Sequence, residues 1–249
     1  MIKVAVCGAL GKMGSEVCRA VEAQEGMELV AKIDVASSGT YHTIEEANRV
    51  HDIDVLVDFT QPQVIFENAK FCLNNGIKTV IGTTGLKDDE IEYLRELSRS
   101  KNTGCLIAPN FSTGAVLMMM FSKLASKYFD NAEIIELHHN QKKDAPSGTA
   151  IKTANMMAQE KSDFTSGNCD EKETIDGARG AKAYSNIHIH SVRMPGYIAS
   201  QEVIFGSQGQ IMTIRHDTMD RKCYMQGVLL AIENVAKKNN FTYGLENIL

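Results

Sequence analysis

Tryptophan is absent, and aromatic residues make up only 6% of the 249 positions. Proteins that hold single-stranded nucleic acid stack bases on exposed aromatic rings, so this composition argues against that role. Positive charge is also scarce: 26 lysines and arginines face 31 acidic residues, a net charge of -5. Non-specific DNA and anionic membranes are bound through clustered positive charge, which excludes nucleic acid and membrane as main partners. No apolar run approaches the ~20 residues a membrane-crossing helix needs. The chain opens on a strand-like run, without the charged segment and small-residue cleavage site of a signal peptide. The six cysteines (Cys7, Cys18, Cys72, Cys105, Cys169, Cys223) form no Cys-x-x-Cys pair. Five of them lie in apolar surroundings, as buried thiols of a reducing compartment do, and a disulfide framework is not expected. What remains is small-molecule chemistry in the cytoplasm.

The rest of the composition, 43% hydrophobic and 23% charged, is that of an ordinary globular chain long enough for one large α/β domain or two smaller ones. Short apolar runs at 3–7, 28–33, 54–59, 78–81 and 104–107 read as strands. Between them lie amphipathic stretches such as Ile91, Leu94 and Leu97, spaced about one helical turn apart. Strands alternating with helices predict a Rossmann-like, doubly wound parallel sheet with right-handed crossovers. From Phe111 the rhythm changes. An apolar helix over 115–125 leads to a strand ending at His138 and His139, and a helix starts at Gly148. A polar, glycine-containing surface loop is expected over 162–185, then strands at 186–193, 201–205 and 210–215. Strands without intervening helices predict a second, α+β domain with a mixed or antiparallel sheet. A last helix over 222–237 carries Val228, Leu229, Ile232 and Val235 on one face.

The strongest local signal is Gly8-Ala9-Leu10-Gly11-Lys12-Met13-Gly14, which follows the first strand and opens a helix. Gly8 permits a tight turn, Gly11 lets the backbone approach a pyrophosphate, and Gly14 allows close helix–strand packing. The spacing, GxxGxxG, is a variant of the usual fingerprint, and a structural glycine turn is the plain alternative. Asp34 ends the second strand 20 residues after Gly14, where a carboxylate hydrogen-bonds an adenosine ribose. Together they predict dinucleotide binding. A carboxylate accepts from a free 2′-hydroxyl and repels a 2′-phosphate. Val35 follows it, so no adjacent arginine clamps that phosphate, although Lys12 could substitute in part. NADH, or dual use of NADH and NADPH, is the expected cofactor. Three later segments end strands where an open sheet places its ligand crevice: 58–62, Gly82-Thr83-Thr84-Gly85 and Ala108-Pro109-Asn110-Phe111-Ser112. Each alone reads equally well as turn chemistry.

The run from Glu136 to Ala150 concentrates His138, His139, Lys142, Lys143, Asp144 and Ser147. Adjacent histidines at a strand end point to opposite faces and so do different work. Histidine exchanges a proton near neutral pH; a lysine does so when burial or neighbouring cations depress its pKa. Ser147 is placed to cap a helix whose first residues, Gly148 and Thr149, present N–H groups beside basic side chains, a pocket suited to a carboxylate. A solvated basic loop is the competing reading. His188 and His190 share a strand face, but the histidines at 138 and 139 diverge and no HExxH or cysteine set joins them, so no metal is expected. Ser147 lacks the elbow of a serine nucleophile.

Taken together, GALGKMG, DFTQP, GTTG, APNFS and above all ELHHNQKKDAPSGTA resemble the dihydrodipicolinate reductase (4-hydroxy-tetrahydrodipicolinate reductase) family over essentially the whole chain. The resemblance implies a dinucleotide-binding domain at 1–109 closed by 220–249, and a substrate-binding and oligomerisation domain at 110–219, in a homotetramer. It implies His138 as proton donor/acceptor, Lys142 as proton donor, and His139 with the backbone of Gly148 and Thr149 as binders of a substrate carboxylate. The cofactor would rest on residues 8–13, Asp34, 82–84 and 108–111. The implied reaction is hydride transfer from NAD(P)H to a cyclic imine dicarboxylate in the diaminopimelate route to lysine; with cofactor and substrate on different domains, hinge closure on binding is expected. Two stretches depart from the family pattern: the short segment after Asp34, and 176–180, a loose match to an Arg/Gly-rich loop.

The alternatives are another nicotinamide oxidoreductase or an NADH-sensing binding protein. A short-chain dehydrogenase would show Tyr-x-x-x-Lys, which none of the seven tyrosines does. A semialdehyde dehydrogenase would need an activated cysteine, and Cys105 lies in an expected buried strand. A sensor would need an effector module such as a basic helix-turn-helix, and no segment resembles one.

Overall fold

Runs of Val, Ile and Leu too short for helices, each closed by a glycine or a polar turn, lay down the first five strands. The computed structural model describes residues 1–36, 40–165 and 170–249. It divides into two units, Met1–Thr113 with Arg221–Leu249, and Gly114–Asp220. The first begins β1 (Ile2–Cys7), α1 (Lys12–Ala23), β2 (Met27–Ile33), α2 (Ile44–Val50), β3 (Val55–Asp58), α3 (Ile65–Asn74), β4 (Lys78–Ile81), α4 (Asp88–Lys101) and β5 (Cys105–Ile107). Val4, Ala5, Val6, Val55, Leu56 and Val57 are all buried, as befits parallel strands covered on both faces. The periodic face of α1 buries Gly14, Val17, Cys18 and Val21. The seven-residue α2, not anticipated above, starts where the Thr43 hydroxyl accepts from the Glu46 N–H at 3.1 Å.

The helix α5 (Thr113–Ala125) leads into the second unit, followed by β6 (Asn131–His138), α6 (Gly148–Ala158), β7 (Ala181–Lys182), β8 (His188–Arg193), β9 (Ala199–Ser207) and β10 (Gln210–Thr218). The sheet order is β10-β9-β6-β8-β7. Strands β6 and β8 run parallel while β9, β10 and β7 pair antiparallel, so the sheet is mixed. Its core gathers Ile134, Ala154, Met157, Phe164, Val203 and Phe205. Two expectations need correction. Strand β6 stops at His138, and His139 already lies in the following turn, where the Lys142 N–H donates to its carbonyl. The stretch 162–185 is not wholly a surface loop: Phe164 is buried and Ala181–Lys182 pair with β8. Residues 166–169, including Cys169, lie outside the described residues.

The chain then returns to the first unit through a 3-10 turn (Arg221–Tyr224), α7 (Met225–Lys237) and β11 (Phe241–Tyr243). The helix thus begins three residues later than its apolar pattern suggested, and β11 adds an unforeseen sixth strand, parallel to β5. Three residues are too few for any alternation to show. The completed order is β11-β5-β4-β3-β1-β2. The topology reverses at β1, so the ligand crevice belongs at the carboxyl ends of β1 and β3.

Candidate functional site

At the end of β1, Gly8 makes the tight turn and Gly14 the close packing that their spacing suggested. Gly8 adopts φ +77°, and a Cβ on it would lie 2.6 Å from the Phe59 carbonyl oxygen; one on Gly14 would lie 2.0 Å from that of Gly8. Only bare backbone fits either position. Gly11 is extended and precedes α1, Lys12 is exposed, Met13 half-buried and Ala9 buried. The Gly8 and Ala9 N–H groups donate to the Ile33 carbonyl at 2.9 and 3.1 Å. Asp34 accepts from the Leu10 N–H and the Ala36 N–H, each at 3.0 Å. The carboxylate therefore stitches the end of β2 to the glycine turn.

A cavity of about 650 Å³ opens there, lined by Gly8, Gly11, Asp34, His42, Glu45 and Thr60 among others. Its size suits a small-molecule ligand. Among its described lining residues are two carboxylates, Asp34 and Glu45, and no lysine or arginine. His42 and Glu45 had escaped the sequence reading because they flank the Thr43 cap of the short α2. The glycine turn, the Asp34 carboxylate and the cavity beside them fit a dinucleotide.

The later loops converge through Asp58, whose side chain is buried at 1% exposure. It accepts from the Thr60 N–H (2.8 Å), the Thr60 hydroxyl (2.6 Å), the Asn68 amide (2.8 Å) and the Thr83 hydroxyl (3.1 Å). Burial pushes its carboxyl above the usual range, and these neutral donors only partly oppose that. Thr83 is thereby committed to holding its loop, and a Cβ on Gly82 would meet the Phe59 ring at 2.2 Å. Thr84 and Pro109 are exposed, Ala108 and Phe111 buried. The Asn110 side-chain Oδ1 accepts from the Ser112 N–H at 2.9 Å. The Phe59 and Phe111 rings lie 5.7 Å apart. All three loops thus meet within the first unit.

In the second unit, even-numbered residues of β6 face inward: Ala132, Ile134 and Glu136 are buried, and His138 is 14% exposed. The Glu136 carboxylate binds His138 Nδ1. It also receives Arg193 Nη1 at 2.9 Å, Arg193 Nη2 at 2.8 Å and the Ser147 N–H at 3.1 Å. These donors overcome desolvation and hold the carboxyl down at about 2. Arg193 Nη2 donates in addition to the Asp144 carbonyl at 2.7 Å, and Lys142 Nζ to both Asp144 carboxylate oxygens at 2.8 Å. His138 and Lys142 therefore belong to one hydrogen-bonded network. Ser147 caps α6 as expected, its hydroxyl accepting from the Ala150 N–H at 3.2 Å. Gly148 and Thr149 open that helix, while exposed His139 accepts from the Gln141 N–H at 3.2 Å.

Glu136 and Asp144 stood in the run picked out in the sequence but had been given no role, and Arg193 had not been named. A carboxylate on the buried parity of an apolar strand, two positions before a histidine, was the available signal. Arg193 had none, because its place opposite His138 comes from the parallel pairing of β6 with β8. His188 Nδ1 donates to the Arg179 carbonyl and His190 Nε2 pairs with Glu133, each at 2.7 Å. Among the described residues, no three or more His, Cys, Asp or Glu side chains are grouped to hold a metal. Cys7, Cys18, Cys72 and Cys105 are buried, but Cys223 is only half-buried. Burial pushes the Cys105 thiol up to about 12, unsuited to a nucleophile. No helix of the described residues is long and apolar enough to cross a membrane.

Two family profiles match the chain: dihydrodipicolinate reductase, N-terminus, over residues 2–111, and dihydrodipicolinate reductase, C-terminus, over 114–249. A 4-hydroxy-tetrahydrodipicolinate reductase of Streptococcus uberis is 48% identical, over 100% of this chain and 99% of its own. One from a Picosynechococcus species is 47% identical, over 100% and 98%. The solved structure of dipicolinate-bound dihydrodipicolinate reductase from Paenisporosarcina sp. TG-14 superposes with a TM-score of 0.93 at 44% identity, over 100% of both chains. A myo-inositol dehydrogenase of Corynebacterium glutamicum, 14% identical with a TM-score of 0.61 over 94% of this chain and 88% of its own, shares the fold alone.

Proposed function

This chain belongs to the dihydrodipicolinate reductase family, and from that premise we propose how its residues divide the work. The activity is the NAD(P)H-dependent reduction of the cyclic imine dicarboxylate 4-hydroxy-tetrahydrodipicolinate to tetrahydrodipicolinate, in the diaminopimelate route to lysine. The observation that carries the division is that the charged run from His138 to Thr149 folds into one network with the start of α6, and lies wholly in the second unit.

The nicotinamide cofactor, when bound, supplies a hydride. Gly8, Ala9, Leu10, Gly11, Lys12 and Met13 would hold its pyrophosphate, and Asp34 its adenosine ribose. Gly82, Thr83, Thr84 and Ala108, Pro109, Asn110 and Phe111 would shape the nicotinamide end. NADH is the favoured donor, with NADPH accepted. Two carboxylates and no lysine or arginine among the cavity's described lining residues give a 2′-phosphate no counter-ion.

A ring receiving hydride gains negative charge, which a neighbouring acid must neutralise with a proton. Glu136 occupies His138 Nδ1, so Nε2 is the nitrogen through which His138 exchanges that proton. Lys142, held by Asp144, is the second proton source. His139 and the opening backbone of α6 at Gly148 and Thr149 take a substrate carboxylate, favoured there by the helix dipole.

We also place the protein in the cytoplasm, as a homotetramer. Leu117, Phe121, Leu124 and Tyr128, 37%, 53%, 55% and 72% exposed, form an apolar stripe at helical spacing along α5 and the turn after it, which assembly would cover. Light scattering should read four times the 27.4 kDa chain.

The reaction itself is tested by generating the unstable substrate in place with dihydrodipicolinate synthase, pyruvate and aspartate semialdehyde. Oxidation of NADH and NADPH is followed separately. Rapid synthase-dependent oxidation, faster with NADH or equal, is expected. No oxidation despite NADH binding would return the sensor reading.

A further inference from the structure

Glu136 is a fully buried carboxylate at 0% exposure, on the strand face that otherwise presents Ala132 and Ile134 to the core. Stability alone gives no reason for it. Replacing a buried ion pair by packed apolar residues is often neutral or stabilising. Its two oxygens are instead fully used: one takes His138 Nδ1 and Arg193 Nη1, the other the Ser147 N–H and Arg193 Nη2. Arg193, reaching over from β8, keeps the carboxylate ionised, and Asp144 and Lys142 complete the charged surroundings.

An ionised carboxylate only accepts. The proton in its contact with His138 therefore sits on Nδ1, and the lone pair of the neutral ring sits on Nε2. The Ser147 N–H ties the first residue before α6 to the same group, so one side chain sets both the imidazole and the helix start.

We propose that Glu136 is a positioning residue for the reduction, fixing the tautomer and orientation of His138. It acts through His138, and so rests on the reading of His138 as a proton-exchanging group.

The test compares Glu136→Gln, His138→Gln and the double variant in the synthase-coupled assay, with NADH and dipicolinate affinities measured alongside. Glu136→Gln should lower kcat by about 10- to 100-fold, the usual scale for losing an orienting partner. The KM and NADH affinity should stay within about twofold, and the pH profile of kcat should change. The double variant should be no slower than His138→Gln alone, because a residue acting through another adds nothing once that other is gone. Multiplying losses in the double variant, or an unchanged kcat in Glu136→Gln, would overturn the proposal. Full turnover in His138→Gln would overturn the His138 reading and this proposal with it, whereas a loss there beside normal Glu136→Gln overturns the proposal alone. A direct measurement needs no variant. Nitrogen NMR of ¹⁵N-histidine-labelled protein, at a pH where the imidazole is neutral, should show His138 protonated on Nδ1; protonation on Nε2 contradicts the proposal.

Discussion

Two buried carboxylates show how differently the halves of this molecule are made. Asp58, in the first unit, is surrounded by neutral donors from Thr60, Asn68 and Thr83, and its carboxyl is pushed up. Glu136, in the second, is gripped by an arginine fork and a histidine, and its carboxyl is held down at about 2. The first arrangement braces backbone loops beside a cavity bordered by the glycine turn after β1. The second holds ionisable side chains in fixed partnerships. A region that only binds an anion can be built from backbone; one that moves protons needs charge placed on named atoms.

That contrast is open to attack at several points. Removing a proton-exchanging group should cost most: His138→Gln and Lys142→Ala should each lower kcat by roughly 10²–10⁴ while leaving NADH binding intact, as read in the coupled assay and by NADH fluorescence. Unchanged turnover in both would end the assignment. In the first unit, Gly14→Val puts a side chain where even a Cβ would lie 2.0 Å from backbone. It should abolish NADH binding and lower the melting temperature, through overpacking of about 1–3 kcal/mol or more. Asp34→Ala should weaken NADH by about tenfold and NADPH by less, and equal losses in titrations of the two would remove its ribose role.

The smallest effect concerns acid stability, and its sign separates the two carboxylates. Glu136, with its pKa depressed from 4.5 to about 2, contributes stability that is present above 4.5 and lost as pH falls toward about 2. Asp58, with its pKa raised above 3.8, does the reverse: stability is lost as pH rises through its folded value. Melting curves against pH should therefore lose the acid-side fall in Glu136→Gln and the opposing slope in Asp58→Asn. Like-signed changes in both variants would mean that their surroundings do not differ as described.

The same contrast explains what could be read from the sequence. A backbone-built site writes itself into local spacing, so Gly8, Gly11, Gly14 and Asp34 were visible, as were the parallel strands that carry them. Ser147 and the start of α6 were legible for the same reason, since a helix cap is local chemistry. Arg193 meets Glu136 across 57 residues of chain, through a strand pairing that no local pattern announces. Glu45 comes to the cavity on a seven-residue helix, with His42 just before its cap, and β11 has three residues; neither element is long enough to show a period. The family resemblance supplied roles for His138 and Lys142, and the carboxylates that hold them lie two residues away, but the arginine that ties both together arrives only when β6 and β8 pair.

The division of labour is tested most directly by calorimetric titration of His139→Ala with NADH and, separately, with dipicolinate. If the cofactor rests on the first unit and the dicarboxylate on the charged cluster of the second, NADH affinity stays at the wild-type value while dipicolinate weakens by about tenfold or more, the scale of one lost charge-assisted bond. An NADH affinity that falls as far as that for dipicolinate would contradict it.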